Sequence, residues 1–327
     1  MTTFPIVGQE AYLQAKGEPY KRLPSIYQIE LTAACDLACP MCLRTTNLER
    51  QPRLFPFELL ETMYKRGDFE GSSYIELQQA GEPTMHPRLR DFIRYLQKTV
   101  GLMVGLSTHG LNMQKRRESS TVTQDLMLLD ALTISVDSVD PDVYHKMRYP
   151  AKLNDLLASL HYFFNSLVGT PVENRPFIEL QLVCTDLVKG SGDVEALAVL
   201  MQERGWDRFA TIRTVQDSFG IMQGRQPEEV PTHAGFCLNP FTSVSVTQDG
   251  DVVSCCYIFE PKKETVNYYG NLHEQSLKEI WEGPKVKDMQ ELMRIGLFKD
   301  ECAKCVNYSP TLIHDGIVSR LVRRGRR

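Results

Sequence analysis

Three cysteines stand close together near the start of the chain, in the segment Cys35-Asp-Leu-Ala-Cys39-Pro-Met-Cys42. Thiolates at such short spacings are the usual protein ligands of iron–sulfur clusters. Three of them can hold three corners of a four-iron cluster, and the missing fourth ligand leaves one iron open to a small molecule. The same residues could instead be half of a zinc site that a distant Cys or His completes, or they could be free thiols.

A second set of cysteines lies in the last third of the chain and comprises Cys237, Cys255, Cys256, Cys302 and Cys305. The C-x2-C spacing of the last pair, together with a cysteine on a predicted hairpin, indicates a second cluster or metal site. Structural zinc is the alternative, because four cysteines are also its usual ligands. Cys255 and Cys256 are predicted to end a strand, where neighbouring side chains point to opposite faces, so they are not expected to serve the same cluster.

The elements that position these cysteines alternate between strand and helix, as repeated βα units do. The predicted strands are 26–31, 74–78, 102–107, 131–136, 177–183 and 209–214. The predicted helices are 56–65, 87–99, 122–129, 154–167 and 193–204. Six such units are too few to close a complete TIM barrel. In barrels of this kind the chemistry lies at the C-terminal ends of the strands, where the first cysteine segment falls.

Further candidate site residues occur at or just after the ends of these strands. They are Gly81, Glu82, Pro83, Ser107, Ser135, Asp137 and Gln181. Because side chains alternate along a strand, Ser135 and Asp137 are expected to share one face and to point into the barrel together. His109 is expected to be a solvent-facing turn residue.

The C-terminal part begins after a loop-like stretch at 226–232. Asp249-Gly250 lies between two alternating segments, 242–247 and 252–256, and predicts a β-hairpin. A helix is predicted at 276–281. The predicted units are a lead-in (1–25), a barrel (26–228), a C-terminal domain (229–310) and a basic tail (311–327).

The composition excludes several classes of protein. The chain has 327 residues, 42% of them hydrophobic, and a net charge of −4, so its overall charge favours neither nucleic acid nor a membrane surface. No apolar segment is long enough to span a bilayer. Because thiols stay reduced in the cytosol, nine cysteines in a cytoplasmic protein are better explained as ligands than as disulfides.

Both cysteine sets resemble those of the radical S-adenosylmethionine (SAM) superfamily with a C-terminal SPASM/twitch domain. The resemblance implies an α/β fold, a partial (β/α)6 TIM-like barrel followed by a small domain of a β-hairpin and helix. It implies that Cys35, Cys39 and Cys42 bind a four-iron cluster and that the backbone of Gly81-Glu82-Pro83 receives the amino group of SAM. Glu82, Ser107, Ser135 and Gln181 are expected to hold SAM, and Asp137 is expected to lie close to SAM or the substrate.

For the second site, the resemblance to the twitch pattern favours one auxiliary four-iron cluster. Its expected ligands are Cys237, Cys255, Cys302 and Cys305, which leaves Cys256 spare. Members of the family cleave SAM to a deoxyadenosyl radical that abstracts hydrogen from a substrate.

The expected substrate is a polar small molecule such as a sugar or an aminocyclitol, because the short lead-in has no room for a leader-binding module. The expected outcome is oxidation or epimerisation, the latter with Cys256 as hydrogen donor. Radical epimerisation or cross-linking of a short peptide is the alternative, and a non-catalytic iron–sulfur or zinc protein is the remote one. Flavodoxin or ferredoxin is the expected electron donor.

Overall fold

A computed structural model describes residues 23–184, 191–216, 237, 239–297, 299, 301 and 302. The strands in these residues are β1 Ser25–Ile29, β2 Tyr74–Glu76, β3 Met103–Thr108, β4 Ala131–Ser135, β5 Phe177–Cys184, β6 Ala210–Gln216, β7 Ser243–Val246, β8 Asp251–Val253 and β9 Tyr268–Asn271. They form one sheet with the order β6-β5-β4-β3-β2-β1-β7-β8-β9. The predicted boundary at 226–232 and the basic tail lie outside the described residues.

Strands β1 to β6 are parallel neighbours in chain order, which confirms the predicted partial barrel. Each of the six predicted barrel strands forms within two residues of its expected bounds. The outer side chains of these strands, such as Ile29, Ile75 and Leu106, are buried in the main hydrophobic core. The strands are therefore covered by helices on one face and enclose the barrel interior with the other.

The helices are α1 Leu43–Asn47, α2 Phe57–Lys65, α3 Leu89–Tyr95, α4 Val122–Leu126, α5 Pro141–Met147, α6 Leu153–Ser166, α7 Ser191–Arg204, α8 Asn239–Thr242, α9 Leu277–Trp281 and α10 Pro284–Arg294. Helix α6 is an example of how these helices pack on the sheet. Its apolar residues recur on one face and are buried in the main core: Leu153, Leu156, Leu160 and Phe163. None of the described helices combines the length and the apolar composition that crossing a membrane requires.

Four of these helices, α1, α5, α8 and α10, are not predicted from the sequence. Helix α5 had a recognisable signal, because Asp140 caps it by accepting from the amides of Asp142 and Val143 and proline follows at the first helical position. The helix predicted at 87–99 is divided, since α3 gives way to a π-helical turn at Leu96–Val100.

The C-terminal hairpin continues the barrel sheet. Strand β7 pairs parallel with β1, with Ser25 opposite Ser243 and Ile29 opposite Val246. Strand β8 then returns antiparallel to β7, as the Asp-Gly turn predicts. Gly250 has a φ of 78° in this turn, a conformation that favours glycine. Strand β9, which is not predicted from the sequence, pairs antiparallel with β8.

Candidate functional site

A cavity of about 300 Å³ opens at the C-terminal ends of the barrel strands. All three cysteines of the segment 35–42, here called the cluster loop, line it. Five of the residues expected to hold SAM line it as well: Gly81, Glu82, Ser107, Ser135 and Gln181. The structure therefore brings together residues from the loop after β1 and from the ends of β2 to β5. Pro83 is buried and begins a short 3₁₀ helix, Pro83–Met85.

Arg44 holds the cluster loop in its folded shape. Its guanidinium donates to the carbonyl oxygens of Ala33 at 2.8 Å, Leu37 at 3.2 Å and Cys35 at 3.3 Å. Cys42 is the N-cap residue of α1, which carries Arg44. Arg44 is not among the residues predicted from the sequence, although a basic residue two positions after the last cysteine is a visible signal.

The chemistry of the thiols fits a bound metal cluster. Burial raises the pKa of Cys35 to about 12, and burial also raises the pKa of Cys39 in spite of the nearby Arg148. Without metal these thiols stay protonated, because a buried thiolate has too little solvation. Iron would supply the missing positive charge and displace the protons. Together with Cys42, which also lines the cavity, Cys35 and Cys39 form the donor set for a four-iron cluster with one open iron.

Gly81 and Glu82 join the end of β2 to the cluster loop. The amide of Glu82 donates to the carbonyl of Ala34 at 2.7 Å. The buried Glu82 carboxylate accepts from the Thr84 amide at 3.0 Å and hydroxyl at 2.6 Å, the Thr108 hydroxyl at 2.8 Å and the His109 amide at 2.9 Å. Because this carboxylate already accepts four hydrogen bonds, its role is to hold Thr84, Thr108 and His109 together in the wall of the cavity.

His109 is buried, and the expectation of a solvent-facing turn residue is wrong. Its Nε2 atom lies 2.8 Å from Oδ1 of Asp36 in the cluster loop and 3.4 Å from Oε2 of Glu82. Burial alone would lower the pKa of His109, but the charge of Glu82 and the hydrogen bond to Asp36 raise it above its usual value. The pair with Asp36 fixes the loop to the end of β3.

Asp137 is placed differently from Ser135. Strand β4 ends at Ser135, and Asp137 has a φ of 60°, so the alternation of side chains does not continue through it. Its carboxylate accepts from the Val183 amide at 2.8 Å and pairs with Arg148. Arg148 lines the cavity, with Nη1 4.0 Å from Sγ of Cys39. Asp137 therefore contributes to the cavity by holding the side chain of Arg148, which lines it.

The C-terminal region contributes to the same cavity. Tyr257 and Phe259, which follow β8, line it. Between them, the carbonyl of Ile258 accepts from Nε2 of Gln79 at 2.9 Å, which connects this segment to the end of β2. The cavity is therefore shared between the barrel and the segment that carries the second cysteine set.

Three of the predicted auxiliary ligands converge on one side chain. Burial raises the pKa of Tyr269, and negative charge on the thiolates of Cys302, Cys237 and Cys255 raises it further, which indicates that the three cysteines lie in the same region as this tyrosine. Cys305 lies outside the described residues. This convergence fits a second cluster or metal site between the end of β8 and the C-terminal cysteines.

Cys255 and Cys256 do not lie on a strand, which corrects the predicted strand 252–256. Strand β8 ends at Val253, and the chain bends at Ser254, whose hydroxyl donates to the side chain of Asn267 at 2.9 Å. The two sulfur atoms are 3.9 Å apart. Cys256 is buried and shares a hydrogen bond with Tyr27.

Family models match two parts of the chain. The model of the radical SAM superfamily matches residues 29–170, and the model of SPASM, an iron–sulfur cluster-binding domain, matches residues 237–306. These ranges include every predicted cluster cysteine.

One curated relative and two solved structures are similar to most of the chain. The tungsten-containing aldehyde ferredoxin oxidoreductase cofactor-modifying protein of Pyrococcus furiosus is 24% identical over 77% of this chain and 79% of its own length. The structure of BtrN in complex with AdoMet and 2-DOIA has a TM-score of 0.53 at 17% identity, covering 88% of this chain and 95% of BtrN. Streptococcus suis SuiB bound to precursor peptide SuiA has a TM-score of 0.55 at 13% identity, covering 91% of this chain and 73% of SuiB.

Proposed function

The chain belongs to the radical SAM superfamily and carries a SPASM iron–sulfur cluster domain, and on this premise we propose that it oxidises a polar small molecule. The cofactors of such an enzyme are the four-iron cluster of the cluster loop, SAM and an auxiliary iron–sulfur cluster in the SPASM domain. When bound, the first cluster and SAM supply a radical that removes a hydrogen atom from the substrate. Sugars and aminocyclitols are the proposed substrates, and flavodoxin or ferredoxin in the cytoplasm is the proposed electron donor.

The observation that carries the proposal is the polar interior of the barrel directly behind the cavity. The hydroxyl of Ser107, which lines the cavity, donates to Glu76 at 2.9 Å. On strands β5 and β6, Arg213 pairs with Glu179 at 3.3 Å, and both charges act on Glu76. Further polar side chains line the cavity itself: Gln78, Ser135 and Gln181. A lining of this kind favours a ligand that brings its own hydrogen-bonding groups.

The residues of the chain bind and orient the reactants. Arg44, the His109–Asp36 pair and Glu82 fix the cluster loop relative to the ends of β2 and β3. Tyr257 and Phe259 lie on the side of the SPASM domain and help to exclude water from the cavity. Exclusion of water protects a reactive radical from side reactions.

Epimerisation is the second candidate outcome, and Cys256 is the residue that would decide it. A hydrogen-donor thiol must reach the substrate carbon. Cys256 directly precedes Tyr257, which lines the cavity. However, the Cys256 thiol shares a hydrogen bond with Tyr27 and lies 3.9 Å from the sulfur of Cys255. These contacts support a packing role for Cys256, and for this reason we propose oxidation before epimerisation. Modification of a peptide is a further alternative, and the ligands of the similar structures, a small molecule in BtrN and a peptide in SuiB, represent both substrate classes.

The test is anaerobic turnover with SAM and dithionite in deuterated water, with a panel of sugars, aminocyclitols and short peptides. Oxidation predicts release of deoxyadenosine and a product about two mass units lighter than the substrate, formed equally well by Cys256→Ala. Epimerisation predicts one solvent deuterium in the product and loss of that product in Cys256→Ala. The Cys39→Ala variant is the negative control. Absence of deoxyadenosine with every substrate would contradict the proposed activity and direct attention to a non-catalytic iron–sulfur or zinc protein.

A further inference from the structure

The backbone on both sides of the cluster loop is held by one side chain of the C-terminal hairpin. Gln248 lies in the turn between β7 and β8 and is almost completely buried. Its Oε1 atom accepts from the amide of Ala33 at 2.7 Å and from the amide of Arg53 at 2.8 Å. Ala33 precedes the first cluster cysteine, and Arg53 follows helix α1 after the last one. A single oxygen atom therefore connects the entry and the exit of the loop.

The other polar groups of Gln248 strengthen this connection. Its Nε2 atom donates to the carbonyl of Gln51 at 2.8 Å, and its own amide donates to Oε2 of Glu30 at 2.8 Å. Glu30 is fully buried and lies in the segment just before the cluster loop. The side chain and amide of Gln248 thus contact the chain on both sides of the cluster cysteines.

Glu30 extends the network to the wall of the cavity. Both of its oxygens accept from Nη2 of Arg50, at 2.8 and 2.7 Å. Oε1 also accepts from the amide of Ala80, the residue before the glycine of the Gly-Glu-Pro motif, at 3.2 Å. Arg50 in turn donates to the carbonyl of Phe259, which lines the cavity, at 2.9 Å. The hairpin turn, the loop ends and the cavity wall belong to one buried hydrogen-bond network.

We propose that Gln248 is a positioning residue for the first cluster, through which the SPASM hairpin holds the cluster loop in the geometry that binds SAM. A flexible loop loses conformational entropy when its ends are brought together, and the two bonds to Oε1 fix those ends. Loss of the acceptor leaves two backbone amides without their partner in a buried setting, which destabilises this arrangement. The proposal rests on the cluster-binding role of the loop and is independent of the substrate.

The chain provides a matched control in the same turn. Thr247 is as buried as Gln248, and its hydroxyl accepts from the amides of Asp249 at 3.4 Å and Asp251 at 3.3 Å. Thr247→Val removes these bonds within the hairpin and leaves the contacts of Gln248 to the loop in place. Gln248→Met has a similar volume to the native side chain but no accepting oxygen.

The experiment compares the anaerobically purified wild type, Gln248→Met and Thr247→Val by amide hydrogen exchange, iron content and the EPR spectrum of the reduced protein before and after addition of SAM. In the wild type, the amides of Ala33 and Arg53 should exchange slowly, because both are bonded to a buried acceptor. In Gln248→Met both should exchange about tenfold faster, as expected for loss of one hydrogen bond. The change that SAM causes in the EPR spectrum should diminish, while the iron of the auxiliary site is retained.

Thr247→Val should keep the protection of both amides and the response to SAM. Fast exchange of Ala33 and Arg53 in the wild type would overturn the proposal, and this measurement does not depend on whether a variant folds. A wild-type response to SAM in Gln248→Met, or equal loss of that response in Thr247→Val, would also overturn it, because Gln248 would then be an ordinary residue of the hairpin.

Discussion

A methyl group added at Gly81 provides a direct test of the geometry of the cluster loop. A Cβ atom at this position would lie 2.1 Å from the carbonyl oxygen of Thr32 and 2.6 Å from that of Ala34. Real Cβ atoms essentially never come closer than 3.0 Å to such neighbours. Both oxygens belong to the backbone that leads into Cys35, so rotation of a side chain cannot relieve the contact.

The structure gives the size of the effect. The Thr32 oxygen would have to withdraw by about 0.9 Å, the difference between 3.0 and 2.1 Å. The bond from the Glu82 amide to Ala34, now 2.7 Å, would be distorted by the same movement. Overpacking costs about 1–3 kcal/mol and an unsatisfied buried group about as much again. Gly81→Ala should therefore cost about 2–6 kcal/mol of stability, concentrated at the cluster loop.

The assay combines chemical denaturation with iron content and SAM-dependent EPR of anaerobically purified protein. Gly81→Ala should unfold at lower denaturant concentration, contain less iron in the first cluster and respond more weakly to SAM. Gly192→Ala is the matched control, because this exposed glycine lies in α7 with nothing within 4 Å of the added methyl group. The control should gain up to about 1 kcal/mol from helix propensity. Wild-type stability and a wild-type response to SAM in Gly81→Ala would refute the packing argument.

Three further predictions concern the ligands and one buried histidine. Replacing Cys35, Cys39 and Cys42 together by Ala should lower the iron content from about eight to about four per chain and abolish SAM cleavage; cleavage by this variant would show that the site is wrongly assigned. Cys302→Ala should remove the auxiliary iron and destabilise the protein, because metal binding there contributes to folding; unchanged iron with bound zinc would identify a zinc site instead. Burial lowers the pKa of His86 from 6.5 to about 4, so the folded chain binds fewer protons than the unfolded chain in this pH range. The protein should therefore lose about 0.8 kcal/mol of stability as the pH falls to roughly pH 6. Histidine NMR, assigned with His86→Gln, should find this ring neutral down to about pH 5, and a ring that titrates near its ordinary pKa would contradict the burial argument.

The barrel was predictable because its strands carry a local signal. Segments such as Tyr74–Glu76 and Ala131–Ser135 are short and buried along their whole length, and turn-forming residues bound them. The pairing of β7 with β1 was not predictable in the same way. It joins residues more than two hundred positions apart, and neither strand differs in pattern from one that pairs only with its sequence neighbours.

The site was predictable where spacing alone defines the chemistry. The cysteines of the cluster loop belong to this class, whereas the Gly-Glu-Pro turn was expected only from the family resemblance; residues of both line the cavity. His109 was misjudged because a single histidine after a strand gives no indication of burial, and its partner Asp36 is distant in sequence. Side chains do not alternate as expected at Asp137, where the backbone adopts a positive φ, or at Cys256, where the chain bends after β8.

The contacts of the cluster loop show why a motif and a working site are different things. Arg44 is local to the loop, and its bonds could form wherever the segment occurs. His109 comes from the end of β3 and Gln248 from the C-terminal hairpin, so their bonds exist only in the assembled sheet. The buried thiols of Cys35 and Cys39 also acquire their raised pKa only in that assembly. Insertion of the first cluster should therefore release protons from a folded site, and variants that detach the hairpin should affect cluster geometry before they affect the barrel itself.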